Sequence, residues 1–203
     1  MIPIQLSKHR IEALSDGLFA IVMTLLVLEL KVPDLPRSSS NTEILAKLRE
    51  IGPSFFTFGL TFMLSAMFWF LHHLAFQFTR HLTRTMVWLN LIFLMFVSLL
   101  PFSAGMLGRF LRSQTAECIY YGNLFVISAL LPAQWEYAKR HRLIVDEIDP
   151  RFEKSTSERL MRIPIACAGA LAAGVYNPEL AFVGFAGAVA IFRLIVKVRS
   201  RNS

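Results

Sequence analysis

Six strongly polar or ionisable side chains stand where a lipid-embedded helix would reject them. Arg10, Ser15 and Asp16 lie in the first apolar segment, His72 and His73 close the second, and Asn90 lies in the third. A carboxylate with two imidazoles suits three chemistries. One is a proton relay, because histidine titrates near neutral pH and membrane carboxylates often carry protons. Another is metal ligation, but the chain holds only His9, His72, His73, His81 and His141, without metal-like spacing. The third is a clamp between helices, since buried ionisable groups must be paired and hydrogen-bonded. The clamp ranks first and the relay second. Arg10 and Asp16 are six residues apart, too far around a helix to pair with each other, so each is expected to find a partner on another helix.

The element carrying the first three groups runs from Arg10 to Lys31, roughly 33 Å of helix at ~1.5 Å per residue, enough to cross a bilayer. From Leu18 to Leu28 its only polar side chain is Thr24. Ile21, Leu25 and Leu28 fall within about 60° of one another, with Thr24 beside them. Such a stripe can stack as apolar rings around an axis shared by several copies. It can equally be ordinary bundle packing, and periodicity does not separate the two.

Composition sets the class. Of 203 residues 55% are hydrophobic, 12% aromatic and only 17% charged, which describes an integral membrane protein, all-α, with one domain over 1–203. The formal net charge of +7 is not a nucleic-acid footprint, because the basic residues cluster between apolar segments. Cys118 and Cys167 have no paired spacing and read as packing residues. Lys8 and Arg10 precede an apolar run that ends in Glu29-Leu30-Lys31 without a small-x-small cleavage site, so the first helix is expected to be retained.

Six spans are expected, near 10–31, 51–78, 85–107, 118–137, 160–175 and 180–198. A turn-rich loop, Val32 to Asn41, and a short surface helix, Thr42 to Glu50, separate the first two. Pro132 is expected to kink the fourth span or lie near its end. The stretch 139–162 reads as a long solvated insertion, helical in part. Small residues, Ala166 to Gly174, suit the fifth to close helix contact. With both termini on one side, that side carries 15 of the 21 Lys and Arg residues, which makes it cytoplasmic. Asp16, His72, His73 and Asn90 then share one layer near the inner leaflet, with Arg10 at its mouth.

The wording of the first segment is specific. Arg10-x-x-x-Leu14-Ser15-Asp16-Gly17, running on through Phe19-Ala20-Ile21 and Thr24-Leu25 to Glu29, resembles the Arg-x-x-x-Phe-Ser-Asp signature of the transmembrane protein 175 family of potassium channels. Leu14 replaces the usual Phe. The resemblance continues through Trp69-x-x-x-His73 preceded by His72, then Trp88-x-Asn90 and Leu100-Pro101-Phe102. It implies a bacterial or archaeal homotetramer of six-span subunits in the plasma membrane, with the first helix of each lining the pore. Ile21, Leu25 and Leu28 would form the constriction and Thr24 would offer a pore-facing hydroxyl. Arg10, Ser15, Asp16, Trp69, His72, His73 and Asn90 would make the signature and the polar network. The permeating ion would be K⁺, with no cofactor and no metal site; protons are the second candidate, since family members in lysosomes pass them. The expected partners are lipid and further copies of the chain.

Other classes fit less well. No TVGYG-like loop supplies a carbonyl filter and no helix has regularly spaced voltage-sensing arginines. A secondary transporter would show internal repeats and interrupted helices at mid-membrane, and the first three spans have no Gly-Pro break at their centres. No nucleophile-base pair or metal motif points to an enzyme.

Overall fold

Every fourth or third side chain of the first helix turns inward, and that stripe organises the bundle. In the computed structural model, which describes residues 7–111, 113–145 and 148–176, α1 spans Lys8–Leu25 and tightens into a 3-10 turn over Leu26–Glu29. Ile11, Ser15, Phe19, Val22 and Leu26 are its buried residues, spaced as one face of a helix. α2 (Asn41–Glu50) is the short helix expected after the loop. Its first turn is closed by a capping box: Glu43 N–H donates to Ser40 Oγ at 3.3 Å, and Ser40 N–H donates to Glu43 Oε2 at 2.7 Å. The Ser40 hydroxyl also donates to Glu43 Oε2 at 3.0 Å, and the two bonds that Ser40 gives this carboxylate, the backbone one foremost, hold it below its ordinary pKa.

α3 (Gly52–Gln77) begins one residue later, with Pro53 at a helix start where its missing N–H costs nothing. The third span comes in two pieces, α4 (Arg84–Ser98) and α5 (Leu100–Arg109), rather than the single helix read from sequence. Pro101 cannot donate to the carbonyl four residues back, and the Leu99 N–H closes a tighter bond to Phe96 O at 3.2 Å. Leu100 and Pro101 are buried, so the C-terminal side of this bend packs into the subunit's own core.

α6 (Gln114–Arg140) runs through Pro132 and extends beyond the expected 118–137 at both ends. α7 (Pro150–Tyr176) is one continuous helix that includes most of the stretch read as a solvated insertion. The sequence reading missed this because the charges of 151–162 broke the apolar run, whereas a helix needs only one apolar stripe. α6 and α7 are fastened at both ends. Gln114 Nε2 donates to Val175 O at 2.6 Å; Trp135 Nε1 donates to Ser157 Oγ at 2.9 Å, and Lys139 pairs with Glu153 at 3.0 Å. The expected span 180–198 lies outside the described residues.

The core joins Phe19, Val22 and Leu26 of α1 to Phe68, Phe93, Val97, Leu100, Tyr120, Leu124 and Trp135. At the end carrying the α1 N-terminus, the α3–α4 and α6–α7 connections pair edge to edge: Arg80 N–H donates to Leu143 O at 2.7 Å and Val145 N–H to Phe78 O at 3.0 Å. At the other end α3 and α5 touch through backbone. A Cβ on Gly108 would come within 3.0 Å of Ser54 Cα, and Ser54 Oγ donates to Gly108 O at 3.2 Å.

Candidate functional site

Lipid is as apolar as leucine, so apolar burial alone does not tell α1 which helices to hold. A polar chain does. Ser15, fully buried, donates its hydroxyl to Ile11 O at 2.9 Å, one turn back on α1. Asn90 Nδ2 on α4 donates to the same Ser15 oxygen at 3.1 Å. That leaves Asn90 Oδ1 to accept, and it lies 2.7 Å from His72 Nε2 on α3, which assigns the proton there to His72. The imidazole is held by aromatic faces: its centroid is 5.2 Å from Phe93 with planes 6° apart, and 4.2 Å from Phe76. Three helices thus meet in one buried line of hydrogen bonds.

A second, exposed contact runs beside the first. Trp69 Nε1 donates to Asp16 Oδ1 at 2.8 Å, and the Trp69 ring stacks on His73 with centroids 5.9 Å apart. Of the polar residues singled out from sequence, Ser15, Asn90 and His72 are therefore joined to one another, and Asp16, Trp69 and His73 form a separate outer layer. Arg10 joins neither. Its side chain is exposed and makes no hydrogen bond or ion pair among the described residues. Among the described residues Arg10 has no partner on another helix, for a geometric reason: it lies about 20° around the helix from Ile21, on the face turned away from the bundle.

That face is the other half of the site. Ile21 is 60% exposed, Leu25 41% and Leu28 67%, whereas their neighbours Val22 and Leu26 are 2% and 1% exposed. Leu14, Gly17, Ala20 and Thr24 are exposed on the same side. The Thr24 hydroxyl donates to Ile21 O at 2.7 Å, leaving its oxygen lone pairs turned outward. The 3-10 turn matters here, because residues three apart eclipse in that geometry and Leu28 comes to stand directly over Leu25. Ile21, Leu25 and Leu28 then follow one another at steps of roughly 6 Å along the axis.

Sequence reasoning missed one contact at the far end. Glu29, on the bundle side of the 3-10 turn above Leu26, lays its carboxylate against Gly105 of α5; a Cβ at Gly105 would meet Glu29 Cδ at 2.7 Å. The small residues of Ala104-Gly105 hinted at a close approach, but not at its partner. A cleft of about 420 Å³ opens beside it, walled by Phe102, Met106 and Phe110 with Lys31 and Arg109 at its edge.

The class these features define is a helical membrane protein, with four described helical segments long and apolar enough to cross a bilayer. Its first helix is bonded to the bundle on one side and bare and apolar on the other. The family profile described as endosomal/lysosomal potassium channel TMEM175 matches residues 10–101. A potassium channel of Chamaesiphon minutus is 31% identical over 151 residues, covering 72% of this chain and 74% of that protein. A potassium channel of Streptomyces collinus is 30% identical over 161 residues, 77% and 75% of the two chains. Human TMEM175, named an endosomal/lysosomal proton channel, is 34% identical over 146 residues, which is 68% of this chain but 29% of the human one. The crystal structure of a lysosomal potassium-selective channel TMEM175 homolog from Chamaesiphon minutus superposes with a TM-score of 0.76 at 26% identity, over 90% of this chain and 95% of that one. This chain belongs to the TMEM175 family.

Proposed function

We propose that several copies of this chain, four by family resemblance, assemble around their α1 helices into a potassium channel without a carbonyl filter. The observation that carries the reading is the alternation along α1: Val22 and Leu26 are buried in the subunit, and Ile21, Leu25 and Leu28 are left uncovered. A helix meant only for lipid has no use for Gly17, Thr24, Arg10 and the Asp16 layer on or beside its outer face, whereas small and polar residues suit helices that meet one another or line water. The relatives named potassium channels supply the ion.

In this assembly Ile21, Leu25 and Leu28 form three stacked apolar rings. A ring too narrow for a hydrated ion opposes passage by dewetting. K⁺ sheds its water more easily than Na⁺ because its charge density is lower, so modest K⁺ preference follows from the ring itself. Thr24, one residue from Leu25, presents an oxygen that can replace a lost water. The Ser15–Asn90–His72 chain acts as the clamp that fixes the rotation of α1, because turning the helix to hide its leucines would break the buried Asn90–Ser15 bond, and with it the outer Trp69–Asp16 bond. Arg10, on the same bare face of α1, meets the other copies near the pore mouth. The whole chain forms one channel domain, with both termini cytoplasmic in a prokaryotic plasma membrane.

A proton pathway is the second reading, favoured by the names of the vertebrate relatives. Flux into liposomes holding the purified protein, with K⁺, Na⁺ and H⁺ gradients imposed in turn, separates the two. A reversal potential that follows the K⁺ gradient is expected; one that follows pH instead assigns the proton pathway, and the absence of flux under all three gradients removes both.

A further inference from the structure

Every one of the ten residues of α2 is exposed, including Ile44 at 41%, Leu45 at 55% and Leu48 at 40%. No described residue covers them, although the capping box makes this a formed helix and not a frayed loop. At ~100° per residue Ile51, Ile44, Leu48 and Leu45 occupy an arc of about 120°, shared only with Asn41 at the first position of the helix. Lys47 stands about 40° beyond one border of that arc and Arg49 about 40° beyond the other, while Glu43, Ala46 and Glu50 fill the opposite side. An apolar arc with a cation on each border and its carboxylates behind is how a helix lies in a membrane surface, with side chains dipping into the acyl boundary and long cationic stems reaching the phosphates.

Position agrees with the pattern. α2 ends one residue before α3, a membrane span, so it is tethered at the level where that span leaves the bilayer. At the same end Phe55, Phe56, Phe102 and Phe110 are about half exposed, a band of apolar rings that marks the lipid boundary of the bundle. A second copy of the chain is the weaker occupant. Three aliphatic side chains on ten residues fall far short of the ~1,000 Å² that a specific protein contact needs by itself. Lys47 Nζ rests on Glu50 at 2.8 Å, with both side chains about half exposed, a surface pair weak enough to give way to a lipid phosphate.

We propose that α2 is an interfacial anchor: its Ile44, Leu45 and Leu48 face embeds in the leaflet at the end of the bundle opposite the α1 N-terminus, and Lys47 and Arg49 bind lipid phosphates. This stands independently of the pore. The test uses the full chain in phosphatidylcholine vesicles, with and without phosphatidylglycerol. Spin labels are placed at Leu45→Cys, Leu48→Cys and Ala46→Cys in a Cys118→Ser, Cys167→Ala background. If that background fails to assemble, the parent labelled at its native cysteines gives the spectrum to subtract. Labels at Leu45→Cys and Leu48→Cys should collide with oxygen in preference to a water-soluble nickel chelate, at a depth of ~5–10 Å, and the label at Ala46→Cys should show the reverse. Equal nickel access at all three positions, or a disulfide between copies formed through Leu45→Cys, overturns the proposal.

Discussion

Replacing Asn90 by Leu is the sharpest test of how α1 is held. The two side chains are close in size, so Asn90→Leu leaves the packing of a fully buried position almost intact while deleting both of its interhelical hydrogen bonds. The two orphaned partners are unequal. Ser15 keeps its bond to Ile11 O and loses only a second, accepted one, on the scale of the ~0.6 kcal/mol average for interhelical bonds in membranes. His72 Nε2–H is stacked against Phe76 and Phe93 and cannot turn to another acceptor, so it bears the full cost of an unsatisfied buried donor, about 1–3 kcal/mol. The sum is about 1.6–3.6 kcal/mol. Reversible unfolding in mixed micelles measures it, with Trp69→Phe as control. That substitution removes an exposed bond to Asp16 and should cost less than ~1 kcal/mol. A loss below ~0.6 kcal/mol for Asn90→Leu, or equal losses for the two variants, would refute the view that the buried chain is what fixes α1.

Further outcomes follow from other contacts. Gly108→Ala pushes a methyl against the Ser54 backbone and should destabilise the protein by about 1–3 kcal/mol in the same unfolding assay, because neither α3 nor α5 can yield a side chain to relieve it. Gly105→Ala meets only the flexible end of Glu29; it should leave stability nearly unchanged and make that carboxylate more reactive toward a water-soluble carbodiimide, read by mass spectrometry. The Glu43 carboxyl, held low by Ser40, supports the start of α2 above its unfolded pKa, and that support is lost as pH falls through the lower folded value. In NMR titrations it should be among the last carboxyls to protonate as acid is added, and Ser40→Ala, which removes the hydroxyl bond but keeps the stronger backbone one, should raise it only part of the way. Ile21→Asn, Leu25→Asn and Leu28→Asn should each raise leak and reduce K⁺ over Na⁺ discrimination in liposome flux; unchanged flux in all three would remove these residues from the pore.

Much of the site was legible in the sequence because membrane helices make polar residues conspicuous. Ser15, Asp16, His72 and Asn90 stood out as groups lipid would reject, and chain length with topology placed them at one depth. Their actual pairing was not legible: which of His72 and His73 turns inward depends on the rotation of α3, and a shift of 100° exchanges the buried ring for the exposed one. Arg10 shows the same limit in reverse, since it shares a segment with Asp16 yet points the other way. The bend at Leu99 followed from Pro101, whose position in the third segment was visible although its consequence was underestimated. α7 was read short because a charged first half interrupted the hydropathy signal. The 3-10 turn at Leu26–Glu29, which aligns Leu28 with Leu25 and sets Glu29 against Gly105 of α5, leaves no trace in composition.

Cysteine-directed block of the K⁺ current addresses the pore most directly. Cysteines introduced one at a time at Ile21, Val22, Leu25, Leu26 and Leu28, in a background without Cys118 and Cys167, are exposed to a small cationic thiol reagent while current is recorded. Block at Ile21→Cys, Leu25→Cys and Leu28→Cys with none at Val22→Cys and Leu26→Cys is the expected pattern. Block at the two buried positions, or at none of the five, would mean that the bare face of α1 does not surround the conduction path.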